Sequence, residues 1–215
     1  MSFFKHHFTR NKYEYVLVSL LLLLFGQLFF PQRFESFFTP FFLIQNLAVG
    51  FLVFYENKWW RRYILFTLFL ILGFEFIEFV RTDFFGEKVK AVFYIIYFLA
   101  LSLKTFQYVF QQKKIDRGMI AAVFSGFMML AIFGGLLFYF IESSAPNSFS
   151  NLGEEGEIYP NLQYFSFITT LTIGFGDIVP LTFVAKKATM LLGVAGNFYT
   201  VFVAGIVIGK FIKDK

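Results

Sequence analysis

Long apolar stretches alternate along this chain with short polar connectors. Six of them stand out, near 13–30, 38–55, 62–80, 90–110, 118–141 and 187–209, and a seventh, 161–171, is apolar but short. Crossing a hydrocarbon core about 30 Å thick takes roughly 20 helical residues. The pattern therefore predicts an all-α membrane protein with six transmembrane helices, plus one short helix that enters without spanning. Thr39-Pro40 predicts an N-cap followed by proline at the first helical position, opening the second helix. Pro160-Asn161 marks the start of the short one. Lys5, Arg10 and Lys12 precede the leucine run 20–24 in the manner of a signal peptide. No small-residue cleavage site follows, so the first segment is expected to be a retained helix.

Composition supports the bilayer as solvent. The 215 residues are 58% hydrophobic and 15% charged, with mean hydropathy +0.66, more apolar surface than one soluble core of this size can hide. With no cysteine, disulfides, thiolate metal sites and a cysteine nucleophile are excluded. The net charge of +5 does not form a nucleic-acid patch. Placing both termini in the cytoplasm puts twelve of the nineteen Lys and Arg inside, with Trp59 and Trp60 at the interface beside the first inner loop. The expected location is a multi-pass protein of a prokaryotic inner membrane. The loop 142–160 carries Glu142, Glu154, Glu155 and Glu157 without Lys or Arg. It reads either as an acidic outer mouth that concentrates cations or as a solvated loop that happens to be acidic.

The chemistry concentrates after the short helix, where Thr172-Ile173-Gly174-Phe175-Gly176-Asp177 is followed by Pro180. Irregular backbone at membrane depth is tolerated only where it is buried in protein or lines a wet cavity. Inward-turned carbonyls there can replace an ion's hydration shell. Pointing successive carbonyls inward needs backbone conformations that glycine adopts without a Cβ clash, and Gly174 and Gly176 fall at those positions. A bare Gly-x-Gly is weak evidence, but the hexapeptide between two spanning segments is far more restrictive. It resembles the potassium-channel signature. That resemblance covers about the last hundred residues well and the first four helices much less specifically.

The resemblance implies a cytoplasmic arm at 1–12, a four-helix domain at 13–117 and a pore domain at 118–211. The last would comprise an outer helix 118–141, a re-entrant pore helix 161–171, a selectivity filter 172–177 and an inner helix 187–209 in a tetrameric pore. It assigns K+ to the carbonyls of Thr172, Ile173, Gly174 and Phe175, with the Thr172 hydroxyl at the inner end and Gly176 completing the filter. Asp177 and Thr170 would support it. The C-terminal end of the pore helix, carrying about half a negative charge, would point at the central cavity. Phe175 stands where tyrosine is more frequent, Leu171 where a second threonine often sits, and Ile168 where some bacterial members carry a glutamate paired with the filter aspartate. Asp177 is therefore expected to lack that partner.

In the last helix the resemblance places a gating hinge at Gly196, with Gly193 and Gly205 as rival bend points. A small residue permitting close helix packing is the alternative. Asn197 would line the cavity or hydrogen-bond to a neighbouring helix. Residues 91–112 hold Lys104 as their one basic residue. One charge is worth about 2.3 kcal/mol per 100 mV, about 9 for four subunits, so strong voltage gating is not expected. Glu75 and Glu78, one turn apart, read as interfacial or ion-sensing groups, and His6 and His7 as part of a solvated arm. Only four residues follow Phe211, so control is expected from the membrane part, lipid, tension, ions or a partner.

The expected function is passive potassium conduction through a homotetramer in the lipid bilayer, with K+ as permeant ligand, no cofactor, no nucleic acid and no enzymatic activity. A less selective cation channel and a subunit of a potassium-uptake transporter are the alternatives.

Overall fold

The computed structural model describes residues 11–29, 35–55, 57–78, 84–112 and 114–213. Among them are seven α-helices, α1 Lys12–Phe25, α2 Glu35–Val53, α3 Lys58–Glu78, α4 Phe84–Gln111, α5 Arg117–Ser144, α6 Ile158–Thr170 and α7 Phe183–Lys213. Short 3-10 turns at Gly26–Phe29 and Glu155–Glu157 complete the order. The chain divides into two compact units, one of residues 1–82 with 101–126, the other of residues 83–100 with 127–215.

Helix starts in the first unit follow local capping. The Asn57 side chain accepts from the N–H groups of Trp59 and Trp60 at 3.0 and 3.3 Å, and Asp116 accepts from Met119 N–H at 2.7 Å. Each satisfies donors that a helix N-terminus otherwise leaves orphaned. α1 packs against α2 through a buried hydrogen bond in which Asn46 Nδ2 donates to Ser19 Oγ at 2.6 Å. α1 stops at Gly26, where a Cβ would run into the Phe42 ring. α2 begins at Glu35, so Pro40 lies inside it instead of opening it.

The second unit is built on an aromatic core. Phe138 of α5, Phe149 of the following loop and Phe165 of α6 meet with ring centroids 5.2–5.8 Å apart, joined by Leu162, Ile168, Ile178 and Leu192. α5 approaches α6 closely at Gly134 and Gly135, where a Cβ would meet Ser166 and Gln163. Ser166 Oγ and Gln163 Nε2 both donate to Ala131 O, at 2.6 and 3.1 Å.

Three helices among the described residues are long and apolar enough to cross a membrane, within Val89–Gln111, Arg117–Ser144 and Phe183–Val207. The chain is a multi-pass membrane protein on that ground. The expectation of six transmembrane helices is corrected to three among the described residues. α1 has 14 residues, about 21 Å at 1.5 Å per residue, short of the core thickness. The stretch of α2 whose side chains are described, Phe41–Val53, is a shorter apolar helix. α3 carries Lys58, Arg61 and Arg62 at one end and Glu75 and Glu78 at the other, which leaves only a short uncharged middle. The six-helix subunit and the six-helix transmembrane fold expected from the resemblance are overturned with that count. Residues 171–182 form no strand, and the one pairing nearby is an isolated bridge between Phe149 and Pro180. The physical reason is local, because Thr172, Gly174 and Gly176 take φ values of +59°, +59° and +80°, outside the β region.

Candidate functional site

α6 ends in a Schellman motif. With Leu171 as C-cap, Thr172 N–H donates to Thr169 O at 3.0 Å and Ile173 N–H to Ile168 O at 2.8 Å. These are the two bonds of that motif, and the residue after the cap must then be left-handed. Glycine usually fills the position. Here it is Thr172, a β-branched residue at φ +59°, for which such backbone is a genuine outlier. Strain of this kind costs about 1–3 kcal/mol and clusters at functional sites. Leu171 N–H bonds Phe167 O at 2.9 Å and Gly174 N–H reaches Ile168 O at 3.3 Å. The last turn of α6 therefore has its carbonyls largely occupied, which reduces the negative charge its end can present.

Residues 171–177 are all exposed, including Ile173 at 51% and Phe175 at 69%, whereas Ile178 is buried. Among the described residues no hydrogen bond reaches the carbonyls of Thr172, Ile173, Gly174, Phe175 or Gly176. Five successive acceptors are thus left open. Thr170 faces the other way, buried, its hydroxyl donating to Ser166 O at 2.7 Å.

The downstream limb is tied by the loop after α5. Asp177 O accepts from Asn151 Nδ2 at 2.7 Å, and Asp177 Oδ2 from the Tyr164 hydroxyl at 2.8 Å. The Tyr164 hydrogen bond holds the Asp177 carboxyl below the usual aspartate range, and the same bond raises the phenol. Asp177 thus has a partner that its sequence neighbours did not reveal. Ile168, where a glutamate partner was sought, lies one turn further along α6. Ser150 N–H bonds Val179 O at 3.0 Å, and Ser148 O accepts from Leu181 N–H at 2.7 Å. The loop itself folds on Glu142, whose carboxylate accepts from the N–H groups of Asn147, Ser148 and Phe149 at 2.7, 2.9 and 3.0 Å. Glu142 is 8% exposed, so it is no part of an acidic surface. Glu154 and Glu157 remain outward and close a capping box ahead of α6.

On α7, a Cβ at Gly196 would come within 2.6 Å of Thr170 O and 3.0 Å of its Cα. α7 runs unbroken through Gly193 and Gly196. Gly193 has only Thr169 Cγ2, at 4.0 Å, and Gly205 has open space. Asn197 is exposed, as are Met190, Leu191, Val194, Phe198 and Val201. Glu75 and Glu78 end α3, and their side chains lie outside the described residues, as do His6 and His7.

Residues 126–213 match a family model described as an ion channel, a stretch that takes in most of α5, all of α6 and the whole of α7. Over that segment, under half of the chain, the protein is similar to ion channels, which move ions without making or breaking covalent bonds. No curated protein and no solved structure matches the chain.

Proposed function

We propose that the chain is one subunit of a potassium-selective channel, in which the open carbonyls of Thr172, Ile173, Gly174 and Phe175 replace the water around K+. One observation carries this reading. Five consecutive backbone acceptors stand exposed and without a partner among the described residues, inside the segment similar to ion channels. Exposed carbonyls in a membrane protein must find water, protein or ions. Gly176 ends the run, and Thr170 and Asp177 hold its two sides. One chain surrounds nothing, and a filter of this type needs four such loops. Three further copies would supply the rest, and their contact would cover part of the apolar face of α7 at Leu191, Val194 and Phe198. K+ is then the permeant ion and not a resident cofactor.

Asn197, on the exposed side of α7, would face the ion path. Gly196 would serve chiefly as the point of close approach to Thr170, and Gly193, with space around it, would be the freer bend point. The basic end of the first unit is read as cytoplasmic, in a prokaryotic inner membrane. None of this requires the six-span fold set aside above.

The test is the reversal potential of the purified protein in a planar bilayer, with potassium on one side and sodium on the other. A reversal displaced strongly toward the potassium equilibrium potential, with block by barium, is expected. A reversal near zero would reduce the reading to an unselective cation pore.

A further inference from the structure

The first unit contains a cavity of about 420 Å³ at the end where α1 and α3 begin and α4 finishes. Its charged lining is of one sign. Lys12, Lys58 and Lys104 line it, together with Asn57, Gln107 and Tyr108, and no carboxylate is among the described residues that line it. Tyr13, stacked on Tyr108 with centroids 4.0 Å apart, forms part of the wall, as does Phe54, itself stacked on Trp60. Glu14 and Asp116 lie close enough to act on Tyr108 electrostatically, but Asp116 is engaged in capping α5.

Three ammonium groups around one polar cavity repel one another, and an anion seated among them removes that cost. Lysine acts on phosphate as a mobile point charge, and amide and phenol groups supply further donors. The depth is also informative. Lys104 sits seven residues before the end of α4, roughly 10 Å along the helix axis, while Trp59 stands exposed beside the opening of α3. Exposed tryptophan and a long amine reaching from an apolar helix are features of the level at which lipid headgroups lie.

We infer that this cavity binds a phosphate-bearing anion of headgroup size, held by Lys12, Lys58 and Lys104. The same chemistry is offered by the phosphodiester of an anionic lipid and by a free phosphate ester, and the experiment separates them. It does not depend on the ion-pathway reading, since the cavity belongs wholly to the first unit.

The full chain, purified in a neutral detergent, is titrated with dioctanoyl phosphatidylglycerol in one arm and with inositol phosphate in the other. Binding is followed by calorimetry and by the combined fluorescence of Trp59 and Trp60, the latter stacked on Phe54 of the cavity wall. Saturable binding that weakens with salt is expected, and the double variant K58Q/K104Q should lose at least tenfold in affinity. K186Q/K187Q, on α7, should bind like the parent, and K58R/K104R should retain binding. A helical spectrum and a single size-exclusion peak establish that each variant is folded. Binding of the lipid alone identifies a headgroup site with its acyl chains in contact, and equal binding of inositol phosphate identifies a soluble anion. Absence of saturable binding in both arms, or equal loss in K186Q/K187Q, overturns the assignment.

Discussion

Replacing Glu142 tests whether the loop after α5 depends on one buried carboxylate. Glu142→Ala removes the acceptor of three N–H groups at once. Asn147 is exposed and its N–H can turn to water, whereas Ser148 and Phe149 are 0% and 4% exposed. A buried donor left unsatisfied costs about 1–3 kcal/mol, so the two buried donors together cost about 2–6 kcal/mol. The loop will yield part of that by opening, so local unfolding is where the effect should appear first. Amide hydrogen exchange of the protein in detergent micelles is the direct assay. Even the lower bound, about 2 kcal/mol, corresponds to roughly 30-fold faster exchange. Acceleration is expected at Ser148 and Phe149 and, through their pairing with the downstream limb, at Leu181. Glu142→Gln keeps the volume and one acceptor oxygen but loses the charge, so it should fall between parent and alanine variant. Exchange at Ser148 and Phe149 unchanged in the alanine variant would refute the reasoning, because it would mean those donors are satisfied elsewhere.

Gly196→Ala should lower the melting temperature, since its Cβ meets backbone atoms of Thr170 and overpacking of that kind costs about 1–3 kcal/mol. Gly205→Ala, with open space around it, should be neutral or gain up to about 1 kcal/mol from helix propensity. Gly174→Ala and Gly176→Ala meet nothing within 4 Å but sit at positive φ, so each should abolish bilayer current and lower the thermal stability of the detergent-solubilised chain by about 1–2 kcal/mol of backbone strain. Tyr164→Phe should raise the Asp177 titration, followed by carboxyl infrared bands or NMR, back toward the ordinary aspartate range. In the parent the folded-state value is depressed. Its linked contribution is therefore present above the unfolded-state value and lost as pH falls through the folded one, and the variant should show less of that loss, the backbone hydrogen bonds to the carboxylate being kept.

What was legible in the sequence depended on how local the determining interactions are. Thr172–Asp177 stood out because two glycines at alternate positions announce unusual backbone. The short helix before them was equally plain, with Pro160 now in its first turn. The helix count failed because apolar content was taken for helical length. α1 gives way to a 3-10 turn at Gly26, beside the Phe42 ring, and no window of hydropathy records that change. Lys58, Arg61 and Arg62 were counted with the connector before the third helix when they belong to its first turns. Tyr164 was missed as the partner of Asp177 because thirteen residues of helix end and irregular turn separate them. Glu142 was read as one acid among four, yet a carboxylate at the last turn of a helix facing N–H groups five to seven residues ahead forms a nest. The Ala145-Pro146-Asn147 turn signal three residues after the glutamate is what the sequence offered for it, and Asn147 takes φ +65° there.

The irregular segment is secured at both ends and open in the middle, and that division bears on how it would work. Upstream, the Schellman bonds hold Thr172 in a conformation it would not choose. Downstream, Asp177 is fixed by Asn151 and Tyr164, and residues 179–182 by Ser148 and Ser150. Between these anchors Phe175 and Gly176 receive no bond to their carbonyls among the described residues, and Gly174 has no neighbour where a Cβ would lie. A segment free at its ends would relax by pairing its own acceptors, because unpaired carbonyls are costly away from water. Held as it is, the run can satisfy them only with something from outside the chain. On the proposed reading, permeant ions would take the place of water there, with neighbouring copies enclosing them. On this argument, weakening an anchor such as Tyr164 should destabilise conduction before it destabilises the fold.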